Sequence, residues 1–309
     1  MLPKRAIFFT DEDRGKAFLS FLRSTIPSSA LFFVISGLFF RSEYEPLQFL
    51  QKNVKSLVVP FLFFYTFSYV LFYLGTYFVL GFNNLTEAKG IMDCFTQKQY
   101  FNGPLWFIIC LFWIKLINFL IQKLFKKEAF QVLIVLAVGA LGFYLGKNEC
   151  DLPLALDTAL TFTPVLYGGV LMSKYSVLHR YSKSEHIIFS IILYLSCYPV
   201  TTSISASINR YEWGVYFNFL AFSALLSLSI LFLCKELLNK SIILSFIGRN
   251  SMWIMCTHHL VYRPIKLFTD SALKEPFSVV CTFTLTLIIC CVTAPLVNKY
   301  VPVIIGRDK

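Results

Sequence analysis

The stretch Leu57–Phe82 reads LVVPFLFFYTFSYVLFYLGTYFVLGF and contains no charged residue. It is longer than the roughly 20 apolar residues that an α-helix needs to cross a hydrocarbon core about 30 Å thick. Apolar runs of similar length recur along the whole chain of 309 residues. This recurrence predicts an all-α fold, a polytopic bundle of transmembrane helices.

The overall composition excludes most other classes of protein. Hydrophobic residues make up 57% of the chain and charged residues 15%, against roughly 45–50% and about 25% in soluble domains. The 34 Phe, 16 Tyr and 4 Trp supply more aromatic surface than one soluble core can cover. The nine cysteines show no metal-ligand spacing, so we expect neither a disulfide framework nor a metal site.

Nine membrane spans are expected, arranged as one domain over residues 18–300. A charged leader, residues 1–17, precedes them, and residues 301–309 form a tail. The leader lacks the apolar segment of a signal peptide. The predicted spans are Phe18–Phe40, Leu57–Phe82, Pro104–Leu124, Phe130–Gly146, Leu152–Met172, Ile187–Ile208, Gly214–Cys234, Ser251–Phe268 and Phe277–Tyr300.

The basic residues between the spans predict the orientation. The loops after spans 1, 3, 5 and 7, with the C-terminal tail, hold fifteen Lys and Arg, and the opposite loops hold seven. Basic loops stay in the cytoplasm, so we expect a cytoplasmic C-terminus and, with nine spans, an external N-terminus. The net charge of +11 then favours anionic lipid headgroups as partners rather than nucleic acid.

Four segments, in order along the chain, resemble the membrane-bound acyltransferase-3 family, whose members O-acylate bacterial sugars and glycolipids. The first is Leu31–Phe40, LFFVISGLFF, followed by Leu57–Phe64. The second, NGPLWFIICLF over Asn102–Phe112, is similar to the family's GPLWFL signature. The third is LDTA over Leu156–Ala159, with Pro164 and Gly168–Gly169 after it. The fourth, GRNSMWIMCTH over Gly248–His258, is similar to GKNSLIIYLLH.

The chain departs from the family pattern at its N-terminal end. Family members usually have ten spans, and the first ends in Gly-His, which has no counterpart here. A second family histidine is matched by Ser28. We therefore expect a chain that lacks the first family span.

The resemblance implies a plasma-membrane enzyme that transfers an acetyl or similar group to a sugar hydroxyl. Acetyl-CoA or another acyl-CoA would be the co-substrate, with no bound cofactor and no metal. Two alternatives stay open: a non-catalytic homologue without the usual histidine, and a transporter or flippase of a lipid-linked glycan. The acceptor sugar, the acyl group and the oligomeric state are not indicated.

His258 and Asp157 are the candidate catalytic residues. Imidazole titrates near neutrality and suits a general base; the alternative for His258 is a polar residue at a span end. His259 points roughly 100° away on a helix, so both histidines can hardly face one site. Asp157 lies in an apolar span, where a carboxylate is costly; its alternative is a structural ion pair with Arg23 or Lys115.

Four residues are candidates for binding the acceptor or the donor near the second and first motifs: Asn102, Trp106, Tyr100 and Arg23. An amide can bond to a sugar hydroxyl, and an aromatic ring can stack on a sugar. Trp and Tyr are also common anchors at the membrane interface. Arg23 is either a ligand-binding cation or the ion-pair partner of Asp157.

A possible acyl-CoA site is formed by Arg249, Asn250 and Ser251, which precede span 8. A cation at a helix N-terminus suits a phosphate. Asn and Ser at this position are also ordinary helix caps.

Overall fold

The computed structural model describes residues 28–80, 102–148, 150, 152–207, 213–238, 240–273 and 277–307. These residues are overwhelmingly helical and include no β-strand. The helices are α1 (Ser28–Leu38), α2 (Pro46–Asn53), α3 (Val59–Leu80), α4 (Leu105–Leu124), α5 (Glu128–Lys147), α6 (Leu156–Lys174), α7 (Lys183–Ser207), α8 (Trp213–Leu237), α9 (Ile242–Arg249), α10 (Ser251–Ala272) and α11 (Phe277–Tyr300). A π-helical turn, Val54–Val58, joins α2 to α3.

Six helical segments within the described ranges are long and apolar enough to cross a membrane: Pro46–Leu74, Leu105–Leu124, Glu128–Lys147, Pro153–Lys174, Tyr216–Leu237 and Phe277–Tyr300. Each overlaps one of the nine predicted spans. Helices α7 and α10 overlap two more, and α1 occupies the described part of the first. The expected polytopic α-helical membrane fold is confirmed.

Short connections set neighbouring helices antiparallel, as in the pairs α5–α6, α7–α8 and α10–α11. Helices α4, α6, α8 and α11 therefore end at one end of the bundle, which we call the basic face. Lys123, Lys126, Lys174, Lys235 and Lys299 lie there. Within the described ranges, the opposite end carries fewer basic residues.

Helix α6 forms the centre of the bundle, because it packs against α1, α4 and α5. Two glycines allow the backbones of α1 and α6 to come into contact where the helices cross. A methyl group on Gly37 would lie 2.1 Å from the Leu166 carbonyl oxygen, and one on Gly169 would lie 2.1 Å from the Val34 oxygen. Small residues at such crossings let membrane helices gain dispersion contacts along their whole length.

Aromatic side chains fill the space around this crossing. Phe33 of α1 is fully buried and stacks on Phe107 of α4, with ring centroids 4.7 Å apart. Phe61 and Phe64 of α3 are buried in the same cluster. This packing fixes α4 relative to α1 and α6.

A short carboxyl-terminal segment packs against the start of α3. The 3₁₀ turn Pro302–Ile305 ends at Gly306, which has a left-handed φ of 73°. A methyl group on Gly306 would lie 2.6 Å from Ser56 Cα, so a residue without a side chain is required here. The Arg307 guanidinium donates hydrogen bonds to Asn298 Oδ1 and to the Arg249 carbonyl, which ties this segment to α11 and to the end of α9.

Candidate functional site

The turn Asn102–Pro104, immediately before α4, lies against the middle of α10. The turn is closed by a backbone hydrogen bond between residues three apart: the Leu105 N–H donates to the Asn102 carbonyl at 3.1 Å. Proline fits this position because it has no N–H to satisfy. The Asn102 side chain is fully buried and donates from Nδ2 to the Cys256 carbonyl at 2.6 Å. The second motif is thus joined to the fourth.

His259 is the histidine that faces this turn. A methyl group on Gly103 would lie 3.7 Å from His259 Cε1 and 4.0 Å from each ring nitrogen. A methyl group would make only ordinary van der Waals contact at these distances, so the imidazole lies directly beside the backbone of the turn. We refer to Asn102, Gly103 and His259 together as the turn site.

Two polar atoms of the turn site have no hydrogen-bond partner in the described part of the chain. They are Asn102 Oδ1 and His259 Nδ1, and both are buried. Buried polar atoms in native proteins are nearly always bonded, so each such exception calls for an explanation. An acceptor oxygen and an imidazole nitrogen suit a ligand that carries several hydroxyl groups.

His258 has a different environment. Its Nδ1 lies 2.9 Å from the Ile254 carbonyl of its own helix. The two adjacent histidines therefore point in different directions, as helical geometry predicts. The prediction that His258 is the base remains untested, but His259 is the histidine placed against the second motif.

Asp157 lies in the first turn of α6, after two residues with left-handed backbone, Leu154 and Ala155. Thr158 Oγ1 donates to Asp157 Oδ2 at 3.3 Å, and Thr161 Oγ1 donates to its carbonyl at 3.0 Å. The carboxylate is close enough to Cys110 of α4 to interact with it electrostatically. Cys110 follows Leu105 by five residues, roughly 8 Å along the helix.

Trp106 is half-buried in the first turn of α4, and its indole meets Phe107 edge to face at 6.1 Å. This position next to Asn102 is compatible both with sugar stacking and with an anchoring role. Tyr100 and Arg23 lie outside the described residues.

The predicted acyl-CoA residues at the start of α10 form mainly protein contacts. Asn250 is buried; its amide donates to the Phe246 carbonyl at 2.8 Å, and its Oδ1 accepts from Asn298 Nδ2 at 2.6 Å. The Arg249 guanidinium and the Ser251 side chain are exposed. Asn250 therefore joins α10 to α11. Arg249 Nε donates to the Ser245 carbonyl of its own helix at 3.4 Å, and the exposed side chain also faces solvent.

A cationic pocket of about 300 Å³ opens near the basic face. Its polar lining comes from three segments: Arg41 and Tyr44 before α2, Lys52 and Asn53 at the end of α2, and Lys115 of α4. Phe39, Phe40, Phe49 and Ser56 complete the wall. No carboxylate is among these described lining residues, so the pocket has a positive potential.

The positive potential lowers the pKa of Tyr44. Lys52 Nζ donates to the Tyr44 hydroxyl at 2.8 Å and lies 4.6 Å from its ring centroid. That hydrogen bond, the Lys52 charge and the Arg41 charge lower the pKa of the Tyr44 hydroxyl. In the sequence, Arg41 and Lys52 are loop charges and Lys115 is a possible ion-pair partner of Asp157. Their convergence depends on how α2 and α4 pack, which no local pattern reveals.

The fold and its two polar sites define a polytopic helical membrane protein with a half-buried histidine beside the Asn102 turn and a separate cationic pocket. Over residues 15–294 the chain matches the family model Acyl_transf_3, described as an acyltransferase domain. Since the match covers most of the chain, this protein belongs to acyltransferase family 3, as the four motifs indicated. No curated protein and no solved structure gives a significant match.

Proposed function

We propose that this protein is a membrane O-acyltransferase that moves an acetyl or similar short acyl group from acyl-CoA to a sugar hydroxyl of a surface polysaccharide or glycolipid. Family membership and the apolar helices support a membrane acyltransferase. One observation carries the finer proposal: the His259 ring lies against the Asn102 turn, and each side chain has a buried polar atom without a partner in the described chain.

The turn site is the proposed acceptor site. One sugar hydroxyl donates a hydrogen bond to Asn102 Oδ1 and orients the ring. A neighbouring hydroxyl donates to a nitrogen of the neutral His259 imidazole, which is the general base. Two hydroxyls on neighbouring carbons match this pair of acceptors, whereas an alcohol with a single hydroxyl would satisfy only one of them.

The cationic pocket is the proposed donor site. Coenzyme A carries several phosphates, and Arg41, Lys52 and Lys115 provide three cations around one cavity. Charge-assisted bonds to phosphate are among the strongest polar contacts in proteins. The excess of Lys and Arg at the basic face supports an orientation in which this face and the C-terminus lie on the cytoplasmic side of the plasma membrane, where acyl-CoA is found.

The reaction balances without a metal or a redox partner. His259 takes the hydroxyl proton while the hydroxyl oxygen attacks the thioester carbonyl carbon. The carbon–sulfur bond breaks as the ester carbon–oxygen bond forms. The thiolate of coenzyme A then takes the proton from the imidazolium, which restores the neutral base.

The test is acyl transfer by the full-length protein in proteoliposomes, with radiolabelled acetyl-CoA and glycolipid extracted from the native membrane. His259→Gln should lower kcat by roughly 10²–10⁴-fold, the usual contribution of a general base. His258→Gln is the matched control on the adjacent residue and should retain most of the activity. Equal activity of wild type and His259→Gln would contradict the proposed base, and a loss confined to His258→Gln would restore His258 to that role.

The same assay separates the alternatives. Movement of unmodified glycolipid across the bilayer without acetyl-CoA would favour a transporter. Binding of acetyl-CoA without any labelled product would favour a non-catalytic homologue. Either result would overturn the proposal.

A further inference from the structure

Helix α9 is a short surface helix between α8 and α10. It begins after Ser241, whose Oγ accepts a hydrogen bond from the Leu244 N–H at 3.3 Å. None of its eight residues is buried. Ile242 is 83% exposed and Ile243 is 73% exposed, more than the side chains of α3 that face outward, such as Leu62 at 54%. The fold leaves Ile242, Ile243 and Leu244 uncovered, whereas Phe246 and Ile247 are half-buried.

The residues of α9 are divided between two faces. At about 100° per residue, one face carries Ile242, Ile243, Leu244, Phe246 and Ile247. The other face carries Ser245, Gly248 and Arg249. This division is typical of a helix that lies with one side in an apolar phase and the other in water.

The charged residues next to α9 in the chain are mainly basic, although Lys235 Nζ lies 3.9 Å from Glu236 Oε1. Lys240 precedes the helix, Arg249 ends it, and Lys235 lies in the last turn of α8. Glu236, the acidic residue nearest in the chain, bonds through Oε1 to His186 Nδ1 at 2.7 Å. A cationic rim around an apolar face complements the headgroups and acyl chains of an anionic lipid surface.

The position of α9 in the fold points to the same partner. The candidate span Tyr216–Leu237 ends a few residues before Ile242, so α9 is tethered close to the bilayer surface at the basic face. We propose that α9 lies in the plane of the membrane interface, with Ile242 and Ile243 inserted below the headgroups and Lys240 and Arg249 bound to anionic phospholipids. This inference does not depend on the acyl-transfer proposal.

Hydrogen–deuterium exchange of residues 240–250 tests it, on the full-length protein in nanodiscs. One set contains phosphatidylcholine alone, and the other contains phosphatidylcholine with phosphatidylglycerol. We expect slower exchange of α9 amides in the anionic nanodiscs. The double variant Lys240→Gln with Arg249→Gln should lose this difference between the two lipids.

A matched pair of variants tests the apolar face. Ile243→Asn should speed exchange of α9 in both lipids, whereas Ser245→Asn, on the polar face, should leave it unchanged. Unaltered exchange of α4 shows that each variant is folded. Equal α9 exchange in both lipids, or equal effects of the two Asn variants, would overturn the proposal. So would an α9 that is protected only after a protein extract is added, since a protein partner would then cover it.

Discussion

Asn102 Nδ2 donates a hydrogen bond to the carbonyl oxygen of Cys256 at 2.6 Å, so a residue of the turn before α4 holds the middle of α10. Three residues further along α10, His259 lies against Gly103 of the same turn. The bond thereby joins α10 to the turn before α4. The position of the proposed base is thus set by a side chain that is distant in sequence.

Asn102→Ala should destabilise the protein and reduce acyl transfer together. Loss of the amide removes the bond to Cys256 in a fully buried place, where one lost partner costs about 1–3 kcal/mol. The thermal midpoint in detergent and the kcat of transfer measure the two effects. Asn148→Ala is the control, because Asn148 is exposed and its amide bonds only to the Tyr144 carbonyl of its own helix. Equal midpoints for the two variants would show that the buried bond contributes little.

Gly169→Ala should destabilise the protein, whereas Gly168→Ala at the neighbouring position should not. A methyl group at Gly169 would meet the Val34 carbonyl oxygen, whereas one at Gly168 would meet nothing within 4 Å. Forcing α1 and α6 apart should cost about 1–3 kcal/mol. Gly168→Ala should leave stability equal or raise it by up to about 1 kcal/mol through helix propensity. Thermal unfolding of both variants checks the crossing, and similar midpoints would contradict it.

Lys52→Gln and Lys115→Gln should each raise the KM for acyl-CoA. Each removes one cation from the pocket, and a charge-assisted bond contributes about 1.5–3 kcal/mol, or roughly tenfold or more in affinity. Initial rates at varied acetyl-CoA concentration measure this. Lys126→Gln, at the same face but outside the pocket, should leave the KM unchanged. A KM that rises equally in all three variants would indicate a general effect of surface charge.

The start of α7 should become less stable in acid. The Ser182 N–H donates to Glu185 Oε2 at 2.7 Å, and the Glu185 N–H donates to Ser182 Oγ at 3.4 Å, which is a capping box. The bond from the Ser182 N–H lowers the pKa of Glu185. A lowered pKa means that the stabilisation is complete above the unfolded value of about 4.3 and is lost as the pH falls through the folded value.

Amide exchange in the first turn of α7, corrected for intrinsic rates, measures this effect between pH 7 and pH 3. Protection should fall over that interval in the wild type. In Glu185→Ala it should already be low at pH 7 and change little. A full pH dependence in Glu185→Ala would assign the effect to another group.

The helix positions follow from sequence because uninterrupted apolar runs admit few other structures in a membrane. The short helices α2 and α9 were not predicted, since eight residues at an interface give a weak pattern. His258 as the base remains a prediction, and the position of His259 beside Gly103 could not be predicted because it depends on how α10 packs against the turn before α4. The cationic pocket escaped prediction for a similar reason: Arg41, Lys52 and Lys115 converge only after α2 and α4 have packed.

The glycine crossing of α1 and α6 has a consequence for biogenesis. Helix α1 leaves the ribosome well before α6, so α6 has not yet been synthesised when α1 enters the bilayer. During that interval the surface of α1 around Gly37, which later packs against α6, contacts lipid or the insertion machinery. Lateral assembly must therefore follow insertion, as in a two-stage process. If translation stalls before α6 is complete, α1 would remain in the bilayer without its packing partner and could be recognised by membrane quality control.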